Sequence, residues 1–366
     1  MPITCILLAK AVMPIQTGPY LSWKNDPRTT MVVSWNTTAP ETTLLAWGTT
    51  SECPDTTRGA YEWRHEVELT GLAPGTLYYY SIPAHPEYGL CSFTTGQDKP
   101  DSIVFLVFGD TRNNPHLSLL ENWELHRDIV RAIIQGGPYE FGIHTGDIAL
   151  SGSTDSHWQW YFATVADLVR TTPILYVPGN HEEDAFPDLL GDIEHYTTLL
   201  ALPGNEANYS WDYGFIHFVA LSTTGRPDSL EKVTKWLEDD LARAKKNKAT
   251  KWIIAYFHEP FYSSGDHGGS RDFADYWEPV MSKYGVRLAL CGHDHDYERT
   301  KPIKGIVYMV VGGGGATPYP IKTHNDWSVV AETTYHYVRI VATPTKLVVT
   351  GFRIDGSVLD SFTVKR

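Results

Sequence analysis

Ile103-Val-Phe-Leu-Val-Phe-Gly-Asp110 is an apolar run of strand length that ends in a glycine and then a carboxylate. A continuous run of this kind suits a strand buried on both faces, as in a parallel sheet covered by helices. The same phrase returns four times. Residues 140–146 lead into Asp147, 174–179 into Asn180-His181, 251–257 into His258, and 286–291 into Gly292-His-Asp-His295. Residues 215–221 and 305–311 are two more apolar runs without the polar ending. Between the runs lie helical patterns. Over 228–246, Leu230, Val233, Leu237 and Leu241 make one apolar stripe behind an Asp228-Ser-Leu-Glu231 capping box. Strands alternating with helices predict an α/β fold, and in such sheets ligands bind beyond the carboxyl ends of the strands. The five clusters should therefore converge.

Outward from this core the text changes. Residues 18–95 are short β-rich runs at 31–35, 43–47, 65–69 and 77–81, separated by turn residues such as Ala39-Pro40 and Gly71-Leu-Ala-Pro-Gly75. They predict a small immunoglobulin- or fibronectin-like β-sandwich. The polar stretch 96–102 reads as a linker, which divides the chain into a sandwich over 1–98 and a catalytic domain over 99–366. Near the end, runs at 338–341, 347–350 and 358–364, with Asp355-Gly356 as a hairpin turn, are expected to extend the α/β sheet.

The chain has 366 residues, 43 acidic and 30 basic, and a net charge of −13 with histidines neutral. An acidic balance repels a phosphate backbone, so nucleic acid is not an expected partner. No apolar run reaches the length of a membrane span. The four cysteines, Cys5, Cys53, Cys91 and Cys291, lack the spacing of a zinc clip. Their positions along the predicted strands disfavour a Cys53–Cys91 bridge, and Cys291 reads as a core thiol. The N-terminal run 5–9 has poor signal-peptide grammar.

The strand ends offer two carboxylates, one carboxamide and three imidazoles without a thiolate, a donor set that suits Mn, Fe or Zn. Six donors exceed one open site, so two metals sharing Asp147 is the economical reading. In extended chain, His293 and His295 would face the site together while Asp294 points away.

In this order, Asp110, Gly146-Asp147, Gly179-Asn180-His181, His258 and Gly292-His-Asp-His295 resemble the signature of the dinuclear metallophosphoesterases. Gly18-Pro-Tyr-Leu21, His258-Glu-Pro-Phe-Tyr262, Ser263-Ser-Gly-Asp-His267 and Gly292-His-Asp-His-Asp-Tyr-Glu-Arg299 are similar to features of purple acid phosphatases, over nearly the whole chain. The resemblance implies a four-layer α/β/β/α catalytic domain behind the sandwich. It implies one metal on Asp110, Asp147 and His295 and another on Asp147, Asn180, His258 and His293. His181 would be the outer histidine over the leaving group, and His267 would contact phosphate. Two positions depart from the pattern. Leu150 stands where the iron-binding tyrosine is expected, and Arg112 stands where related enzymes place a histidine ligand. A guanidinium does not ligate. His126, on the following helix, is a candidate replacement.

The expected reaction is attack on a phosphate ester by a hydroxide shared between the metals, with His181 protonating the leaving group and Arg112 either offsetting charge on the non-bridging oxygens or pairing with a metal-bound aspartate. A phosphomonoesterase is the leading reading and a phosphodiesterase the alternative. A catalytically impaired metal-dependent binding protein is the third reading. Without tyrosinate the protein should be colourless or weakly coloured, with a neutral pH optimum. Tyr262, Tyr297 and Arg299 are assigned to packing. Substrate and oligomeric state stay open, as does localisation, for which the resemblance leans toward export.

Overall fold

The computed structural model describes residues 16–183, 193–224 and 229–366. The run at 5–9 and the Asp228 cap position lie outside these residues.

The N-terminal part is all β: β1 (Thr17–Ser22), β2 (Met31–Gly48), β3 (Asp55–Leu69), β4 (Leu77–Ser81) and β5 (Cys91–Thr94). The runs expected at 31–35 and 43–47 are the two ends of the single strand β2, so Ala39-Pro40 does not break the chain. Its residues there are exposed, and the register against β3 slips between Asn36 and Glu41 and again between Thr42 and Leu44. A bulge of this kind accepts a proline, which has no N–H to give the ladder. The irregularity also lets the two halves of β2 take different partners. β1 pairs beside Ser34, and β4 pairs beside Trp47 and continues into β5. Cys53, Cys91 and Cys291 are free thiols.

This unit is packed against the α/β part through aromatic rings. Tyr20 stacks on Phe162 at 4.5 Å, and Trp23 lies 5.9 Å from Trp211. Tyr80 and Ser22 hydroxyls donate to the carbonyls of Arg170 and Ala201 at 2.6 Å.

Two sheets make the α/β part. In one, the parallel strands β6 (Ile103–Phe108), β7 (Phe141–His144) and β8 (Ile174–Tyr176) lie side by side. An antiparallel meander extends its β6 edge, as expected, through β16 (His336–Ala342), β17 (Lys346–Arg353) and β18 (Val358–Lys365). Among the described residues the second sheet contains seven strands. Its parallel centre is β10 (Ile216–Leu221), β11 (Trp252–Phe257), β12 (Leu288–Cys291) and β14 (Val307–Val311). Antiparallel β9 (Tyr209–Tyr213) flanks one side, and β13 (Tyr297–Thr300) with β15 (Ser328–Glu332) the other.

Strand β10 shows the layering through its two-residue period. Phe218 and Ala220 enter the core shared with the first sheet, where Phe218 meets Phe105 edge-on at 5.5 Å. Val219 and Leu221 enter a second core beneath α4 (Leu230–Lys246) and α5 (Arg271–Tyr284). The first sheet is covered by α1 (Leu119–Gly136) and α2 (Asp155–Val169), and a short α3 (Glu194–Leu199) precedes β9. The result is the four-layer α/β/β/α arrangement. Val233, Leu237 and Leu241 form the buried stripe of α4, and its cap is Ser229, whose hydroxyl accepts the Lys232 N–H at 3.3 Å. No helix of the described residues is long and apolar enough to cross a membrane.

Candidate metal centre

The predicted residues come from both sheets. Asp110, Asp147, Asn180 and His181 follow β6, β7 and β8, while His258, His293 and His295 follow β11 and β12. Face-to-face packing brings these strand ends to one rim.

The backbone there is held in costly conformations. Asp110, Asp147 and His293 have φ of 57°, 55° and 73°, a region few non-glycine residues adopt outside functional sites. The preceding glycines permit the crowding. A Cβ on Gly179 would stand 2.2 Å from Asp147 Oδ1, and Gly146, at φ 100°, has His258 Nδ1 only 2.7 Å from where its Cβ would be.

Asp147 is the hinge of the cluster. Its Oδ1 accepts the His181 N–H at 3.1 Å and lies 3.2 Å from His258 Nε2. That nitrogen is in turn 3.1 Å from Asn180 Oδ1 and 3.2 Å from His293 Nδ1. His258 donates its Nδ1–H to the Thr145 carbonyl at 2.9 Å, which leaves Nε2 to face the others. On the other side, Asp147 Oδ2 is 3.5 Å from Arg112 Nε and 3.8 Å from His181 Nε2. Asp110 sits between the loops. Its Oδ1 accepts the His293 N–H at 3.0 Å and lies 3.6 Å from His295 Nε2, and its buried Oδ2 has no partner. Ligand atoms of Asp110, Asp147 and His258 all fall within 4.8 Å of one another.

Burial and the Asp147 charge raise the Asp110 pKa well above the carboxylate range. Burial opposes the charged form of His258, yet Asp147 and Asp110 lift it to about 10. Burial lowers His293 and His295 to about 3, with the neighbouring His258 and Arg112 charges adding to it, so both are neutral donors. Buried oxygen and nitrogen donors so close together, one carboxylate oxygen lacking any partner, fit a cation between them.

Several expectations are corrected in detail. His293 and His295 both reach the cluster, but through a bend rather than an extended strand: left-handed backbone at His293 turns its ring toward Asn180 and His258, and His295 toward Asp110. Asp294 does point away, accepting the His267 N–H at 2.8 Å. The His267 ring lies 4.4 Å from that of His293 at the rim. His126 does not join the cluster. It is packed edge-on against Trp160 at 4.3 Å, and a Cβ on Gly315 would stand 2.0 Å from its ring. Tyr297 and Arg299 both bond Asp360, at 2.9 and 2.6 Å, and Tyr262 bonds Glu278 at 2.8 Å, which are packing contacts.

Two residues were not singled out from the sequence. Glu182 is buried beneath the centre, where Oε2 accepts the N–H groups of Asp147 and Gly179 at 2.9 and 2.7 Å, and Oε1 those of Ile148 and Ala149 at 2.8 and 3.0 Å. Burial and the Asp147 charge raise its pKa while the amides oppose them. Only the ionised form leaves lone pairs for all four donors. Its spacing, Gly179-x-x-Glu182, is that of a capping residue at the third position of the short 3₁₀ turn 180–182. Tyr319 stacks on His295 at 4.0 Å and accepts from Arg112 Nη2 at 3.1 Å. It follows the glycine run Gly312–Gly315, which lies against Asp110: the Ala316 N–H donates to the Asp110 carbonyl at 2.9 Å.

Comparison with known proteins agrees with this architecture. Residues 103–297 match the calcineurin-like phosphoesterase family, 17–95 the purple acid phosphatase N-terminal domain, and 305–361 the iron/zinc purple acid phosphatase-like protein C domain. Acid phosphatase type 7 of Mus musculus is 28% identical over 327 residues, covering 75% of this chain and 70% of that protein. Purple acid phosphatase 18 of Arabidopsis thaliana is 26% identical over 293 residues, covering 74% and 63%. The structure of a purple acid phosphatase from yellow lupin (Lupinus luteus) seeds superposes with a TM-score of 0.80 at 20% identity, covering 97% of this chain and 74% of that one. Because the family match over residues 103–297 spans more than half of its length, the chain belongs to the calcineurin-like phosphoesterase family, in a purple-acid-phosphatase-like arrangement, and is a phosphoesterase of its dinuclear-metal class.

Proposed function

We propose that this chain hydrolyses phosphate monoesters at a centre with positions for two ions, drawn from Fe, Mn and Zn. Asp147 would be shared between them, with Asn180, His258 and His293 holding one ion and Asp110 and His295 holding the other. When bound, such ions act as Lewis acids on a phosphoryl oxygen and lower the pKa of water toward neutrality. The protein's own groups do the rest. Arg112 reaches the rim beside Asp147 and offsets charge on a non-bridging phosphoryl oxygen, for which a planar guanidinium is suited. His267, at the mouth, makes a further phosphate contact. The catalytic domain is taken as 99–366 and the sandwich as 1–98.

The observation that carries the reading is the setting of His181. Its Nδ1–H donates to the Leu150 carbonyl at 2.7 Å, which fixes the ring and leaves Nε2 beside Asp147 at a part-exposed rim. When Nε2 is protonated as well, an imidazolium oriented in this way can hand that proton to a leaving alkoxide and return to the Nδ1–H imidazole. A guanidinium and two ion positions against two carboxylates favour a dianionic monoester over a diester.

The test is turnover of paired mono- and diester substrates before and after chelation and return of Mn, Fe or Zn. Monoester hydrolysis lost and restored with metal supports the proposal. Faster diester cleavage selects the phosphodiesterase reading, and metal uptake without turnover selects the binding protein.

A further inference from the structure

We propose that the two ion positions are unequal: the Oδ1 side of Asp147 takes a tightly held ion, whereas the Oδ2 side is shared with the Arg112 guanidinium and binds its ion weakly. The inference rests on the phosphoesterase reading and deepens it.

The two sides of Asp147 differ in what faces them. Besides the His181 backbone N–H at 3.1 Å, Oδ1 faces groups that can ligate: His258 Nε2 at 3.2 Å, with Asn180 Oδ1 and His293 Nδ1 gathered within 3.2 Å of that nitrogen. Asp147, Asn180, His258 and His293 come from four different loops, and each has an atom that can ligate, His258 Nε2 by yielding its proton to an incoming ion, which a guanidinium cannot do. Oδ2 looks onto Arg112 Nε at 3.5 Å. The same guanidinium extends Nη2 to 3.5 Å from His295 Nε2. His295 donates its other ring N–H to the Thr317 carbonyl at 2.6 Å, so Nε2 is its lone pair, and that lone pair is turned toward the arginine.

Arg112 is thus placed across two of the three donors available to an ion on this side. It is held there rather than free to swing out. The side chain is buried, and its Nη2 donates to the Tyr319 hydroxyl at 3.1 Å. Tyr319 in turn is fixed by stacking on His295 at 4.0 Å and by its backbone N–H on the His295 carbonyl at 3.1 Å. A guanidinium stays charged at any working pH and offers no lone pair. An ion on this side must push it aside, accept its repulsion, and manage with Asp110, Asp147 and His295 as protein donors. His126 cannot complete the set, because it is packed against Trp160 and Gly315. In the absence of the second ion, Arg112 is the cation that answers Asp147 Oδ2.

The test is titration of the metal-stripped full-length chain with Mn(II), with free ion counted by electron paramagnetic resonance. Hydrolysis of an aryl phosphate is followed in parallel. One Mn(II) should bind tightly and a second on the order of 100-fold more weakly, since altered surroundings of a site shift affinity by about 10–100-fold even without a fixed charge. Arg112→Met should tighten the second binding at least about tenfold, leave the first unchanged, and bring out a spin-coupled signal. Arg112→His, which supplies a donor, should do the same and covers the case in which the methionine variant misfolds. Two equally tight ions in the unaltered, active chain would overturn the inference alone. So would a second affinity unmoved in both variants. No bound ion together with no turnover would overturn the phosphoesterase reading and this inference with it.

Discussion

Replacing Glu182 by glutamine should damage both stability and metal binding, although the side chain reaches neither solvent nor substrate. The carboxylate receives four buried amide N–H groups, at 2.7–3.0 Å, two on each oxygen. Glutamine turns one oxygen into an NH₂ that faces two donors. Each buried donor left without an acceptor costs about 1–3 kcal/mol, so the two together cost about 2–6 kcal/mol. The two bonds that survive lose their charge assistance and roughly half their strength. A total near 4 kcal/mol is a large fraction of the roughly 5–15 kcal/mol that holds a native protein together. Oε2 bonds both Asp147 and Gly179, so the same change loosens the loops bearing Asp147 and Asn180 from each other. The assays are thermal unfolding and Mn(II) titration of the purified variant. A Tm lower by at least about 5 °C and metal affinity reduced at least about tenfold are expected. A Tm within about 2 °C of the unaltered chain, with metal affinity intact, would refute the reasoning. It would mean that Glu182 is protonated and that an amide imitates it.

His181→Ala should lower kcat for alkyl phosphates by about 10²–10⁴, with a smaller loss for aryl phosphates whose leaving groups need no proton, and metal content should not change. Equal losses on both substrates would remove the acid role. His217 bridges Asp212 at 2.7 Å and Asp240 at 2.8 Å. Burial opposes its charge, but the two carboxylates lift it to about 9. A pKa raised above the unfolded value of about 6.5 gives stability that is complete below that pH and lost as pH rises through about 9. The contribution is about 2–3 kcal/mol after discounting the exposed Asp212. Urea unfolding of the unaltered chain and His217→Gln should therefore differ at pH near 6 and converge near pH 10; a constant difference would contradict this. Leu150 has no phenolate, so the metal-loaded protein should show no visible charge-transfer band. A purple preparation would point to a tyrosinate ligand elsewhere.

Most of the centre was legible because each donor directly follows an apolar run. Burial on both faces needs a continuous apolar strand, and a strand end in an α/β sheet is where the chain turns into a ligand crevice. That logic picked out six candidate donors and His181, which the fold gathers at one rim, while strand runs and the Asp355-Gly356 turn gave the closing strands 338–364. It worked less well where a local signal had two outcomes. Ala39-Pro40 looked like a break, yet a bulge carries it through β2. His293-x-His295 looked like strand alternation, yet left-handed backbone at His293 itself makes a bend with the same result.

Sequence by itself determined which residues could be buried, which could donate to a cation, and that Arg112 and Leu150 could not. Only the tertiary structure decided how the parts act on one another. Glu182 satisfies amides some thirty residues away, Tyr319 meets Arg112 across 207 positions, and the two sides of Asp147 face unlike neighbours. Such relations leave no period or spacing in the text. They arise because two sheets, built from separate stretches of chain, bury their common face and so bring their loops to one rim.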